Sequence, residues 1–213
     1  DAQDHLLNIS HKTSAGTITG YAYLLEEDKT GGAEINTLGV KYAGATTIKE
    51  RKITYSVEFA RQDNDTANKS ANYFSLKAGT TIASLNVAAG YELLGSDNGE
   101  YGFATPLATL HAFNGWSDQF LSTPAQGLQD ISVSVGGKLA GGSWKIIAHD
   151  FSADDSSTAI DDLGSEIDAV YTKAINKTFK ASIKYAAYFA SDYNDAVKKV
   201  DTDKLWVWLE AKF

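Results

Sequence analysis

The chain of 213 residues contains no cysteine and no methionine, and only two prolines. The lack of cysteine excludes both a disulfide framework and a cysteine-ligated metal site. Asp1 is not preceded by an initiator methionine and is not followed by a basic and then apolar leader. We therefore expect either that a signal peptide has been removed or that the sequence is a piece of a longer chain.

Long apolar runs are also missing, since no run approaches the roughly 20 residues that a membrane-spanning helix requires. The mean hydropathy is −0.24, and a prediction from this average alone would be a soluble protein. This average overlooks membrane β-strands, whose apolar and polar residues alternate and cancel. Basic residues are few as well. The net charge of −8 argues against a nucleic-acid partner, which would require a basic face.

Alternation of apolar and polar residues is what the sequence has in abundance. In "KITYSVEFA" (52–60) the odd positions are apolar up to Phe59 and the even positions are polar up to Glu58. A period of two is typical of a β-strand, so we predict an all-β, antiparallel, up-and-down sheet of about eleven strands. The faces are least clear in the first two strands. The candidate strands lie near residues 5–12, 17–25, 35–43, 52–61, 71–80, 83–95, 129–139, 143–153, 165–175, 178–191 and 204–213.

The connections between these strands alternate in length. Short ones, such as "TSAG" (13–16) and "INKT" (175–178), take turns with long polar ones, such as "QDNDTANKSA" (62–71). The connection at 43–51 is of medium length and breaks the series. Short turns on one side and long loops on the other are typical of an outer-membrane β-barrel. The alternative is a soluble or surface-exposed β-sandwich binding module, because a sandwich with one face in water would show the same alternation.

The last strand has one uniformly apolar face. Leu205, Val207, Leu209 and Phe213 share that face, and Phe213 ends the sequence. This pattern resembles the C-terminal signal that outer-membrane proteins present to the barrel insertion machinery. Outer-membrane lipid and that machinery are the partners that the pattern predicts. Aromatic residues expected on the lipid face are Tyr55, Phe74, Tyr91, Tyr171, Tyr185 and Phe189.

Several stretches together resemble porin-like outer-membrane proteins grouped with the alginate-export family. They are "HLLNISHK…TGYAYLL" (5–25), residues 103–128, "VGGKLAGG" (135–142), "HDFSAD" (149–154) and "DTDKLWVWLEAKF" (201–213). The resemblance covers essentially the whole chain. It implies a β-barrel channel in a Gram-negative outer membrane that serves the diffusion or export of small or polymeric hydrophilic solutes. It does not fix the solute.

The predicted lumen carries both signs of charge. An exporter of polyanionic alginate is expected to line its pore with arginine, but the chain has only Arg51 and Arg61, neither near the middle of a polar face. Rings of charge set ion preference in pores. Alternatively, the charges pair across strands and keep the interior wet. The candidate pore-lining residues are Lys77, Lys138, Lys145, Lys180, Lys184, Glu58, Glu92, Asp168, Trp206 and Trp208.

One long connection, 96–128, interrupts the alternation and is predicted to be extracellular. Thr105 is suited to cap a helix with Pro106 at its first position, and "LATLHAF" (107–113) extends it for about two turns. A loop this long with its own apolar residues is expected to fold inward and narrow the lumen. An outward cap without effect on flow is the alternative. The candidate constriction residues are His111, Asn114, Trp116 and Asp118.

Catalytic and cofactor signals are weak. No two of the four histidines have metal-ligand spacing, so we predict no metal and no cofactor. The acidic stretches "DNDT" (63–66) and "DDSSTAIDD" (154–162) lack regular calcium-loop spacing and are predicted to be solvated loops. His149 faces inward with serines such as Ser134 on neighbouring strands, but the sequence identifies neither an acidic orienter nor an activated serine. We therefore predict that the protein is not an enzyme.

Strand parity predicts that the 213 residues, though one β-barrel domain, are the C-terminal portion of a longer barrel. Bacterial barrels have an even number of strands and both termini on the short-turn side. Eleven strands would place Asp1 on the long-loop side, so at least one strand is expected before it. The resemblance suggests a whole barrel of about sixteen to eighteen strands, within the range of bacterial barrels. The missing N-terminal portion would then be a further partner.

Overall fold

The structure is a computed structural model that describes residues 2–27, 32–156, 161–191 and 200–212. Eleven long strands form one antiparallel sheet in which each strand pairs with its neighbours along the chain, which confirms the predicted fold class. Two further short strands form a hairpin of their own. The strands are β1 (Ala2–Lys12), β2 (Gly16–Glu27), β3 (Glu34–Ile48), β4 (Arg51–Asn64), β5 (Lys69–Ile82), β6 (Leu85–Leu94), β7 (Ser96–Asp97), β8 (Tyr101–Gly102), β9 (Leu128–Leu139), β10 (Gly142–Ser152), β11 (Asp162–Ala174), β12 (Phe179–Phe189) and β13 (Thr202–Ala211).

The sheet is an open, partial barrel. In the described ranges, β1 and β13 are its two edges and do not pair with each other. The two-stranded β7–β8 hairpin is too small to act as the second layer of a sandwich, so the sandwich alternative is wrong. No helix in the part of the chain that the structure describes is long and apolar enough to span a membrane.

The short connections are tighter than the sequence indicated. β3 and β4 run on until only Lys49 and Glu50 separate them, with φ angles of 47° and 67°. Two successive positive φ angles are typical of a type I′ turn, whose twist matches that of the flanking strands. The medium-length exception at 43–51 thus disappears. The strands also extend into 62–71, which was predicted to be a long polar loop and leaves only the turn 65–68.

The two faces of the sheet differ in polarity. One face exposes large apolar side chains; Leu38, Val133 and Val207 are 68%, 58% and 72% exposed. Alternation places all six predicted lipid-facing aromatic residues on this outer face, and none of the six is buried. An exposed apolar face of this extent on a soluble protein would be an aggregation hazard, whereas lipid would cover it favourably.

The buried core lies on the other, inner face, near the end of the sheet that carries the long connections. Phe103 and Phe120, from the connection between β8 and β9, are 6% and 7% exposed. The ring of Phe120 packs 4.6 Å from that of Phe151 on β10 and 6.2 Å from that of Tyr188 on β12, measured between centroids. This apolar cluster therefore fixes the long connection to the inner face.

Candidate functional site

The inward loop, residues 103–127, crosses the polar inner face of the sheet. The helix predicted at 106–113 is wrong: the segment forms successive turns, with bonds such as Phe113 N–H to the Leu110 carbonyl at 3.0 Å. Leu110 has a φ of 60°, which an α-helix does not accept. A two-turn helix has few internal bonds to offset its nucleation cost, and the loop bonds to the sheet instead.

Gln62 on β4 holds the start of the inward loop. Its Oε1 accepts from the Ala104 N–H at 2.7 Å and from the Tyr101 hydroxyl at 2.6 Å. Its Nε2 donates to the Ala104 carbonyl and to Thr37 Oγ1, both at 2.9 Å. Gln62 is 1% exposed, so these four bonds satisfy a fully desolvated amide.

Two carboxylates on β11 hold the middle of the loop. Glu166 accepts from the Ser117 N–H at 2.7 Å and from the Ser117 hydroxyl, and Asp168 accepts from the Trp116 N–H at 3.2 Å. Both carboxylates are 0% exposed. Gly115 is required here, because its φ is 84° and a Cβ would lie 2.5 Å from Glu166 Oε2.

Asn114 and His149 extend this polar contact to β6, β9 and β10. Asn114 Nδ2 lies 3.4 Å from both Glu92 Oε2 and Asp130 Oδ2. His149 Nδ1 lies 2.9 Å from Asp130 Oδ1, and its Nε2 lies 3.7 Å from Asp168 Oδ2. Since both ring nitrogens face carboxylates, neither is directed at a serine. A Ser–His pair would instead require one of these nitrogens to accept from a serine hydroxyl.

The described residues contain no group of three or more histidine, cysteine, aspartate or glutamate side chains arranged to hold a metal ion. Of the acidic stretches, 63–66 makes ordinary turn contacts: Asp65 Oδ2 accepts from Asn36 Nδ2 at 3.0 Å. Residues 157–160 of the stretch 154–162 lie outside the described residues.

Asp118 holds the far side of the loop. Its carboxylate accepts from Lys204 Nζ on β13 at 2.8 Å and from His111 Nδ1 at 2.6 Å. Partial burial alone would raise the pKa of Asp118, but the hydrogen bonds from Lys204 and His111 outweigh burial and hold it below its usual range. Asp118 therefore stays ionised, and keeps these bonds, at ordinary pH.

Asp118→Asn is expected to loosen this side of the loop. Because the carboxyl has a lowered pKa in the folded protein, its contribution is complete above the ordinary aspartate pKa of about 3.9 and is lost as pH falls through the lower folded value. Open-channel current noise in bilayers should therefore be higher in Asp118→Asn than in the parent down to about pH 4 and should converge below it. Asp65→Asn, in an exposed turn, is the control; equal noise in all three proteins at pH 7 would contradict the anchoring role.

Lys184 on β12 lies among aromatic rings. Its Nζ is 2.8 Å from His111 Nε2 and lies over the rings of Trp116 and Trp206, 4.6 and 5.2 Å from their centroids. A lysine ammonium can only donate, so His111 Nε2 is the acceptor in this arrangement. The predicted constriction residues His111, Asn114, Trp116 and Asp118 thus all contact the inner face.

The predicted pore-lining residues share the inner face with the loop contacts, as the strand pairings show. Four of the eight charged candidates, Lys77, Lys180, Glu58 and Glu92, are paired across neighbouring strands, which is the alternative that the sequence left open. The pairs are Lys41 with Glu58 at 3.0 Å, Lys77 with Glu92 at 3.7 Å and Lys180 with Glu210 at 2.7 Å. Trp208 lies on the same face and is 40% exposed.

Lysines without a nearby acid gather at the short-turn end of the inner face. Lys52, Lys138 and Lys145 line a cavity of about 720 Å³ together with serine, threonine, asparagine and glycine, and no carboxylate lines it. All three lysines are exposed. The described inner face is therefore charge-balanced near its middle and positive at this end.

Sequence reasoning missed several residues that hold the loop. Gln62 was placed at the start of a loop, and Glu166, Ser117 and Lys204 were not singled out. Glu166 carried a usable signal, because it lies two positions before Asp168 and so shares its face. The predicted insertion signal is only partly described: Leu205, Val207 and Leu209 point outward and are 60–72% exposed, and Phe213 lies outside the described residues.

No model of a protein family matches the chain, and no curated protein sequence matches it. Solved structures do. Two outer-membrane porins of Pseudomonas aeruginosa are similar to it: OccK5 (OpdH), with a TM-score of 0.69 at 11% identity, and OpdO, with 0.66 at 15%. OccAB1 of Acinetobacter baumannii has a TM-score of 0.62 at 13% identity.

These similarities cover 99%, 99% and 98% of the chain but 58%, 57% and 56% of OccK5, OpdO and OccAB1. The chain therefore spans less than two thirds of the length of each. At such low identity the similarity shows the fold, which is that of a porin barrel wall. The neighbours are channels rather than enzymes, and they do not bear on the alginate-export family.

Proposed function

We propose that the chain forms the larger part of the wall of an outer-membrane channel through which small hydrophilic solutes diffuse. The observation that carries the proposal is the inward loop, which is hydrogen-bonded to the inner face at Gln62, Glu166, Asp168 and Lys204. The opposite face of the same sheet exposes apolar residues suited to lipid. A sheet that is polar inside and apolar outside, with a long loop anchored on the polar face, is the arrangement a constricted water-filled pore requires.

The path would run past the loop between its exposed side chains and the charge-paired wall. His111, Asn114, Trp116 and Asp118 would fix the position of the constriction, since each of them bonds to or packs against the wall. The paired charges at Lys41, Lys77 and Lys180 keep this wall hydrated without a strong preference for either sign of ion.

A further N-terminal portion would complete the barrel and would be a partner of this chain. Unpaired backbone groups in lipid cost several kcal/mol each, so two free edges such as β1 and β13 are untenable in a membrane. The neighbours' greater length supports the same view. The outward apolar residues Leu205, Val207 and Leu209, continued by Phe213, would serve recognition by the insertion machinery.

Membership of the alginate-export family is the narrower hypothesis, and the charge pattern does not favour alginate as the solute. Arg61 lies on the outer face, where it bonds to Ser70 Oγ at 2.9 Å and to Asp63 at 3.1 Å. Alternation along β4 places Arg51 on that same face. The inner face of the described residues thus lacks the arginines that would bind a polyanion bidentately.

The complete protein, extracted with detergent and reconstituted in planar bilayers, is expected to conduct ions in discrete steps. Replacing Lys52, Lys138 and Lys145 together by glutamine should shift the reversal potential in a salt gradient toward cation preference, because it removes three unpaired positive charges from one end of the path. The matched control replaces Lys49, Lys173 and Lys177, three lysines at the same end but off the inner face. Full solubility without detergent, or no conductance steps, would refute the channel; equal shifts in both variants would refute the inner position of the lysines.

A further inference from the structure

A cavity of about 610 Å³ lies between the inward loop and the inner face of β1 to β6. Its loop side is apolar. Leu107, Leu110 and Phe113 line it and remain 52%, 38% and 48% exposed. Exposed apolar side chains on a loop that is otherwise held by hydrogen bonds form a surface to which a ligand can bind.

The opposite side of the cavity, which also includes Leu6 and Leu25, carries polar groups whose charges cancel. Glu58 accepts from the Tyr21 hydroxyl at 2.8 Å and pairs with Lys41 at 3.0 Å. The ring of Tyr21 stacks on that of Tyr23 with centroids 5.0 Å apart, and the Tyr23 hydroxyl accepts from Asn8 Nδ2 at 3.2 Å. This half of the wall offers donors, acceptors and aromatic rings with no net charge.

A second group repeats the first on the next strands. Glu92 accepts from the Tyr73 hydroxyl and lies 3.7 Å from Lys77 Nζ. The side chains of Lys41 and Lys77 are 47% and 48% exposed, so their ammonium groups are accessible to a solute. Each half of the wall therefore pairs one lysine, one carboxylate and one tyrosine hydroxyl.

From this arrangement we infer that the cavity binds neutral, polyhydroxylated ring compounds, that is, pyranose sugars, as they pass the loop. The inference rests on the proposed channel function and names its solute class. A hydroxyl group both donates and accepts, so it matches a wall in which ammonium donors and carboxylate acceptors stand side by side. The C–H face of the ring would lie on Phe113 and the leucines. An anion that paired with Lys41 or Lys77 would be repelled by the adjacent Glu58 or Glu92. A cation that paired with either glutamate would be repelled by the adjacent lysine, so the wall favours neither sign of charge.

The test is block of the ion current by methyl β-glucoside and maltose added to the complete protein in planar bilayers. Both sugars should block transiently. Sorbitol, a linear polyol, should block far less, and glucuronate and glucosamine should block less than their neutral parent. Phe113→Ala should raise the half-blocking concentration of methyl β-glucoside roughly tenfold, since it removes the aromatic contact. Leu121→Ala, an exposed leucine of the same loop that does not line the cavity, is the matched control.

Glu58→Gln supplies a specificity test of the same site. It leaves Lys41 without its carboxylate, so block by glucuronate should strengthen relative to block by methyl β-glucoside.

Three outcomes would overturn this inference without refuting the channel. They are ion conductance that no sugar blocks, equal block by sorbitol and methyl β-glucoside, and sugar block that is unchanged in Phe113→Ala. If no conductance is observed, titration calorimetry of methyl β-glucoside on the detergent-solubilised protein and on Phe113→Ala decides the binding site separately from the channel. Binding that is roughly tenfold weaker in Phe113→Ala than in the parent supports the site, and no heat of binding in the parent refutes it.

Discussion

Deletion of residues 104–124 is expected to raise single-channel conductance several-fold. The inward loop contacts strands from β4 to β13 across the inner face, through Gln62 at one end and Lys204 at the other. Because the loop fills part of the lumen, removing it widens the narrowest section, which dominates the resistance of a pore. Selectivity should also change, since the deletion uncovers four acidic residues, Glu92, Asp130, Glu166 and Asp168, and only two lysines, Lys184 and Lys204. We expect the enlarged channel to prefer cations more than the parent does.

The control for this deletion alters the same connection but leaves the inward loop and its contacts to the inner face intact. Asn98→Gly, at the tip of the β7–β8 hairpin where φ is 53°, should leave conductance unchanged. Retention of heat-modifiable migration on gels would show that the barrel remains folded in both variants. If the 104–124 deletion conducts like the parent, the loop is an outward cap rather than a constriction, and the proposed path past it is wrong.

The strands and their faces could be predicted from the sequence because a β-barrel wall requires period-two alternation in every strand. The assignment of Lys184 and Asp168 to one face needed only the register of each strand. The ends of the strands were predicted less accurately than their faces. Neither Lys49 nor Glu50 is a glycine or an asparagine, yet both adopt positive φ, so no local pattern indicated a two-residue turn there. Strand pairing on both sides forces that geometry.

The position of the inward loop could not be predicted in the same detail, since it depends on contacts between residues far apart in sequence. The stretch 106–113 has helical spacing, but the bonds that Ser117 and Trp116 make to β11 require successive turns instead. In the sequence, Glu166 has the pattern of an ordinary polar strand residue and Gln62 that of an ordinary polar loop residue. Their burial follows only once the loop covers them, and no local pattern in the sequence reports this.

Glu166→Ala is expected to release the middle of the inward loop, and this is the largest effect we expect from a single substitution. The Ser117 N–H and hydroxyl both donate to Glu166, which is 0% exposed. Leaving a buried donor without its acceptor costs roughly 1–3 kcal/mol, so the population of channels with a detached loop should rise at least about fivefold. Bilayer recordings should show this as new, longer-lived high-conductance substates.

Glu166→Gln separates the hydrogen bonds from the charge. The amide keeps the shape of the side chain, and its oxygen can accept from the Ser117 N–H while its nitrogen donates to the Ser117 hydroxyl. It also removes the negative charge of Glu166 from the face of β11 that it shares with Asp168. If the hydrogen bonds hold the loop, Glu166→Gln should conduct like the parent, with substates no more frequent, whereas Glu166→Ala should differ from both. Equally raised substate frequencies in the alanine and glutamine variants would instead assign the anchoring to the charge of Glu166. If Glu166→Ala shows no more substates than the parent, then Gln62 and Asp118 hold the loop without Glu166.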